Sequence, residues 1–440
     1  MYDIVIGRSE SDKKLYGLRG AVLVGKHFVK MGATSSLANK VYMDVTRSHI
    51  VFVCGKRGGG KSYTMGVIAE GMANLEKDIA QNLSIIMLDT MGIYWTMKYP
   101  NKKDKKLLDD WGLEQKGLDV KIYTPTGFYN DYKKKGIPTD FPFSVQPSEL
   151  TGSDWVMTFG LDSSDSVAVL IERIIYQLKE EAKPFDLEMI MKRVMNDPDA
   201  EKVTKLSAKN YFQECLAWGL FDKEGTPLKD LAKGGQVSVL DVSCYATTSG
   251  GWKVKNLVIG LVAQKLFLQR MLARKDEEFL QLKAEMNYYS EEGFKKQDFP
   301  LVWLVIDEAH EFLPVKGKTL ATDPLVTILR EGRQPGISLI LATQQPGKIH
   351  TDVMTQSDTV IAHRITAKPD VEALGMLMQS YMREGMVTAL DNLPRVKGAG
   401  IVFDDTNERM YPMRVRPRFT WHGGEAPRAI HEKKEEDLLF

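Results

Sequence analysis

The run HIVFVCGKRGGGKS, residues 49–62, decides the fold. His49 to Cys54 reads as a continuous apolar stretch, the pattern of a parallel strand buried on both faces. It leads into Gly55-Lys56-Arg57-Gly58-Gly59-Gly60-Lys61-Ser62, which satisfies G-x-x-x-x-G-K-[ST]. Glycines let backbone N–H groups curl around phosphate oxygens, Lys61 reaches the β- and γ-phosphates, and Ser62 suits a magnesium ion. A helix expected from about Ser62 to Leu75 aims its positive end at the same point. The expected nucleotide contacts are Gly55, Gly58, Gly59, Gly60, Lys61, Ser62 and Tyr63. A buried strand before the loop and a helix after it weigh against a plain glycine-rich surface turn. Lys56 and Arg57 stay open between phosphate contact and solvent.

Working outward, further buried strands are expected at Leu83–Asp89, Val120–Tyr123, Val237–Asp241, Leu301–Asp307, Ile337–Thr343 and Thr359–Ala362. Helical or polar sequence separates them, including a long helix over Lys255–Lys275. The alternation predicts an α/β fold with a doubly wound, mostly parallel sheet. Residues 1–48 read as a short β-rich N-terminal segment, with strands at Asp3–Ile6, Ala21–Val24 and Val41–Val45. Residues 49–144 and 236–420 form the two parts of the core. Between 145 and 235 the strand signals fade, and Val167–Glu180, Leu187–Met195 and Ala208–Leu220 carry helical spacing, which predicts a helical insertion. Residues 421–440 are a tail whose last residues, Leu438-Leu439-Phe440, suggest docking on a neighbouring subunit.

Composition narrows the class. The 440 residues are 43% hydrophobic, enough for more than one structural unit at about 100–200 residues each. Lys plus Arg (59) nearly cancels Asp plus Glu (58), so the chain lacks the basic excess of a simple nucleic-acid coat, and any DNA contact is local. Cys54, Cys215 and Cys244 share no C-x-x-C spacing and are too few for a disulfide framework or a zinc site, which fits a reducing cytoplasm. The start MYDIVIGRSESDKK places charge where a signal peptide needs an apolar run, and no stretch approaches the roughly 18 apolar residues of a membrane span, so a soluble cytoplasmic protein is expected.

A second chemical signal ends the strand Leu301–Ile306 in Asp307-Glu308-Ala309-His310. Two carboxylates at the carboxyl edge of such a sheet lie where ligands bind. Asp307 suits the magnesium shell, and Glu308 suits polarisation of an attacking water. Alone, the pair would read as a helix N-cap; beside the loop it reads as catalytic. His310 reads as structural. Asp89, ending another buried strand, is open between a metal role and a turn-initiating one. Gln344, just after Ile337–Thr343, can hydrogen-bond phosphate and water together as a sensor. Arg330 and Arg333 sit around Gly332, where an arginine bends poorly toward its own loop but can enter a neighbour's site; the plainer alternative is surface arginines.

Together HIVFVCGKRGGGKS, MLDTMG, SVLDVS (238–243), LVIDEAHEFLP (304–314) and LREGRQPGISLILATQQP (329–346) resemble, in order, the HerA branch of the HerA/FtsK superfamily of hexameric DNA-translocating ATPases. The resemblance covers most of residues 20–415. It implies a RecA-like P-loop NTPase core, ATP and Mg2+ as cofactors, a homo-hexameric ring around double-stranded DNA, and ATP sites between subunits. Residue by residue it implies Lys61 and Ser62 on phosphate and magnesium, Asp307 and Glu308 as the acidic pair, Gln344 as sensor and Arg333 as the finger acting in trans, with Arg330 as substitute. Two departures stand out. The family's Asp-Pro-His-Gly-Glu motif is here Asp89-Thr90-Met91-Gly92-Ile93, so only Asp89 carries over. The family's β-barrel, which assembles the ring and docks a nuclease, normally precedes a loop that here begins at Gly55, which leaves the interface with a NurA-like nuclease or another effector open.

Two functions follow. One is an ATP-driven DNA translocase working in end processing or defence, with Lys102, Lys103, Lys105 and Lys106, or Lys133, Lys134 and Lys135, as candidate DNA contacts; a solvated charged loop is the plainer reading of both clusters. The other is an ATP-dependent regulatory or assembly subunit that controls a bound effector without moving DNA.

Overall fold

A computed structural model of the chain describes residues 3–31, 34–248, 250–286, 299–365, 367–375 and 380–424. The expected docking of the tail at 431–440 lies outside them. Among the described residues thirteen strands form one sheet. They are β1 (Ile4–Ile6), β2 (Ala21–Met31), β3 (Thr34–Asp44), β4 (Ile50–Cys54), β5 (Leu83–Asp89), β6 (Lys121–Pro125), β7 (Phe141–Phe143), β8 (Val237–Asp241), β9 (Leu301–Ile306), β10 (Ile337–Thr343), β11 (Thr359–His363), β12 (Ala399–Asp404) and β13 (Arg409–Val415). Their order is β1-β3-β2-β13-β12-β11-β4-β10-β9-β5-β8-β6-β7. From β11 to β7 every pairing is parallel; β12, β13, β2 and β3 extend the sheet by antiparallel pairing. The result is mixed α/β with a mostly parallel sheet.

The central strands are mostly apolar because both faces are covered. Along β4, Ile50, Phe52 and Cys54 join one core while Val51 and Val53 join the other. β9 and β10 divide in the same way: Leu304 and Leu341 face the first core, Val305 and Ile340 the second. The second core is closed by the helix Lys61–Ala73 through Met65, Val67, Ile68 and Met72. The first takes in the helices Gly152–Phe159, Ser166–Glu180, Leu187–Asn196 and Lys202–Ala217. On Ser166–Glu180 the buried residues Ile171, Ile174, Ile175 and Leu178 follow helical spacing.

Some elements differ from the sequence reading. The helix expected over Lys255–Lys275 runs from Gly251 to Met286. The N-terminal segment holds a helix, Glu10–Tyr16, capped by Ser9, besides its strands. Arg330 lies in the last turn of the helix Thr322–Glu331, so only Arg333 is on the turn proper. No helix of the described residues is long and apolar enough to cross a membrane.

Candidate nucleotide-binding site

The loop after β4 is seated by its neighbours. Gly55 N–H donates to Thr343 C=O at 3.3 Å and Lys56 N–H to Arg364 C=O at 3.3 Å, so the ends of β10 and β11 flank it. Gly59 N–H donates back to Lys56 C=O at 2.9 Å and closes the turn. Gly58 and Gly60 have φ of 71° and 110°, left-handed values that strain any residue with a Cβ. The helix Lys61–Ala73 then starts with no side-chain cap and no acidic residue in its first turn. Among the described residues the N–H groups of Gly60, Lys61 and Ser62 meet no acceptor. An N-terminus left open in this way, at the positive end of a helix, fits a phosphate group. Lys61, buried at 7% exposure, holds its Nζ 3.5 Å from the Lys56 carbonyl, across the same loop.

β9 brings the carboxylates to the loop. Ser62 Oγ donates to Asp307 Oδ2 at 2.5 Å, and Asp307 Oδ1 accepts the Glu308 N–H at 2.8 Å. A hydroxyl and a carboxylate this close are an oxygen donor pair of the kind a small divalent cation takes. Glu308 sits in the left-handed region with φ 51°, a conformation few side chains adopt. Its Oε2 is buried without a hydrogen bond among the described residues. Burial, then the charge of Asp307, push its carboxyl up to about 7.

His310, left out by the sequence reading, stands inside this site. Its Nδ1 lies 3.0 Å from Thr343 Oγ1 and 3.6 Å from Glu308 Oε2, and its Nε2 is 3.4 Å from Gln345 Nε2. It joins the end of β10 to the carboxylate after β9. Burial lowers its pKa. Gln344, half-buried, follows Thr343, the register partner of Cys54, so it stands directly beside the start of the loop.

The remaining candidates divide. Asp89 ends β5 next to the end of β9, but its carboxylate already accepts the N–H groups of Met91 (3.2 Å), Gly92 (2.7 Å) and Tyr94 (2.8 Å). Burial, then the charge of its register partner Asp241, raise its pKa. Tyr63 turns its hydroxyl toward the C-terminal segment, where it accepts the Arg418 N–H at 2.6 Å. Arg330 is held by Asp352, Nε to Oδ2 at 2.5 Å. Arg333 is exposed and, among the described residues, forms no ion pair; with Met271, Arg330, Glu331 and Gln334 it lines an open cavity of about 540 Å³. Lys102, Lys103, Lys105, Lys106 and Lys133 to Lys135 are exposed.

The model of the family described as "Helicase HerA, central domain" matches residues 29–249, half of the chain. The probable DNA double-strand break repair helicase HerA of Methanocaldococcus jannaschii is 22% identical over 358 residues, covering 75% of this chain and 65% of the relative. The DNA double-strand break repair helicase HerA of Pyrococcus furiosus is 28% identical over 147 residues, covering 31% of this chain and 26% of the relative. The chain thus spans less than two thirds of the length of either. Among solved structures, VirB4 of Thermoanaerobacter pseudethanolicus superposes with a TM-score of 0.54 at 13% identity, over 91% of this chain and 97% of that one, a likeness of fold.

Proposed function

Because this chain belongs to the HerA helicase central-domain family, we propose that it is a cytoplasmic ATP-hydrolysing motor that assembles as a homo-hexameric ring and moves double-stranded DNA. The observation that carries the ATPase reading is the convergence of an uncapped helix N-terminus, the Ser62–Asp307 pair and a buried Glu308 oxygen that accepts no hydrogen bond among the described residues, at one edge of the sheet. The open amides of the loop and Lys61 bind the phosphates of ATP. Ser62 and Asp307 hold Mg2+, which when bound spreads the negative charge of the transferring phosphoryl group. Glu308 orients the attacking water and takes up its proton, a role suited to a carboxyl lifted toward neutrality. Gln344 contacts the terminal phosphate from the end of β10, Asp89 shapes the adjoining loop, and Arg333 completes the site of the next subunit. The relatives named as double-strand break repair helicases favour DNA as the track. A NurA-like nuclease or another effector is the proposed partner.

The deciding experiment is steady-state ATP hydrolysis with and without long duplex DNA. Stimulation by duplex that grows with its length supports a translocase. A magnesium-dependent rate indifferent to DNA removes translocation and leaves the ATP-dependent switch. No hydrolysis under any condition overturns the site itself.

A further inference from the structure

The phosphate loop rests on a buried histidine. His363 ends β11, one residue beyond the pairing of Ala362 with Cys54, and is 0% exposed. A Cβ added to Gly55 would stand 2.7 Å from the His363 Cβ, and one on Gly59 would stand 3.6 Å from the same atom. One on Gly60 would meet the ring at 3.4 Å. Three glycines of the loop are therefore laid against a single side chain. Both ring nitrogens are engaged: Nδ1 lies 3.1 Å from the Ala399 carbonyl and Nε2 2.8 Å from Thr64 Oγ1. A carbonyl only accepts, so Nδ1 carries the proton. Burial, with Lys61's charge adding to it, pushes the pKa down to about 4, so Nε2 is bare and accepts the Thr64 hydroxyl. Thr64 is itself 0% exposed and its N–H donates to Gly60 C=O at 2.8 Å, the first bond of the loop's helix.

We propose that His363 is a positioning residue for nucleotide binding: it backs the curve of the phosphate loop through Gly55, Gly59 and Gly60 and, through Thr64, locks the first helical turn, so that the open amides of Gly60, Lys61 and Ser62 converge on one point. This rests on the ATP-site reading above. A loop with several glycines loses much conformational freedom when it orders around phosphate, and a rigid support beneath it reduces that loss. The effect falls on ground-state and transition-state binding alike, hence on Kd and KM more than on kcat.

The test compares His363→Leu, which fills similar space without nitrogens, with His363→Gln, whose amide can still accept from Thr64, and with Thr64→Val, all in the full chain. The readouts are affinity for a fluorescent ATP analogue, KM and kcat, and the melting temperature without nucleotide. The expected result is a rise of ~10-fold or more in Kd and KM for His363→Leu, with kcat much less changed, and substantial recovery in His363→Gln. Thr64→Val should shift Kd in the same direction, and adding it to His363→Leu should cost little more, since the two act as a unit. If His363→Leu does not fold, Thr64→Val alone decides by its Kd. Wild-type affinity in His363→Leu or Thr64→Val, or a loss in His363→Gln as large as in His363→Leu, overturns the proposal. A wild-type protein that fails to bind the analogue instead removes the ATP-site reading beneath it.

Discussion

In the proposed mechanism Lys61 and Glu308 serve different steps, so their removal is expected to separate binding from turnover. Lys61→Ala should weaken ATP binding and abolish hydrolysis. Glu308→Gln should bind ATP, because Ser62 and Asp307 remain, and yet release no phosphate. Neither change opens a core cavity, so both proteins should melt near the wild type; equilibrium titration and phosphate release distinguish the two, and wild-type turnover in either would sink the assignment. That the loop and the Asp307-Glu308 pair would meet at one edge of the sheet was legible because both patterns are written in consecutive residues. The placement of His310 and His363 was not, since it comes from strand ends that only the register of β4, β9, β10 and β11 brings together. Asp89 was half legible: its strand was plain, its three backbone partners were not. A further single-residue effect concerns His49, buried between Asp358 at 3.0 Å and Asp44 at 3.5 Å. Burial opposes its charge, but the two carboxylates prevail and raise its pKa from 6.5 to about 9. The folded value exceeds the unfolded one, so this stabilisation is complete below pH 6.5 and is lost as pH rises through about 9. Urea unfolding should therefore show stability falling over that window, with a shallower slope in His49→Gln; equal slopes would refute it.

Among the elements, the segment after β13 is bound to the helix of the phosphate loop by a buried charge cluster. Glu70, 0% exposed and on the helix Lys61–Ala73, accepts from Arg416 at 3.0 Å and Arg418 at 2.9 Å, and from the N–H groups of Phe419 and Thr420 at 3.2 Å each. Glu70→Ala would strand two buried guanidinium groups, so a loss of ~3–5 kcal/mol is expected on chemical denaturation. A loss within the ~0–1 kcal/mol typical of an exposed pair would contradict the clamp. Nothing local marks Glu70, one acidic residue in a helix; its partners come from 346 and 348 residues away. The same holds for strands. β4, β5, β8, β9 and β10 could be read in advance because each is buried on both faces and so carries a predominantly apolar run. That β2 pairs with β13 and fuses the N-terminal strands to the core sheet could not, because strand order is a property of distant segments. The helix Lys105–Trp111 was hidden by its lysines, which face water and leave only Leu108 and Trp111 buried.

At the scale of the whole molecule, the sheet sets its two chemical features on opposite edges. The phosphate loop, Asp307 and Gln344 follow the carboxyl ends of β4, β9 and β10, whereas Arg333 precedes β10. Seven residues at about 3.3 Å each put more than 20 Å of strand between Arg333 and Gln344, far beyond the reach of one side chain. Arg333 cannot serve its own site. If it serves any, it serves that of a neighbour, with its exposed guanidinium entering from the far side of a subunit boundary. Arg330 is the weaker candidate because Asp352 already holds it. Arg333→Ala should then retain ATP binding and assembly but lose hydrolysis by a factor that approaches ~10³–10⁵. Mixing Arg333→Ala with Lys61→Ala subunits, each inactive alone, creates some boundaries with an intact loop and an intact arginine, and partial recovery of ATPase activity is expected there. An Arg333→Ala protein that assembles and turns over ATP at the wild-type rate would return this arginine to the solvent-exposed surface and leave each site complete within one subunit.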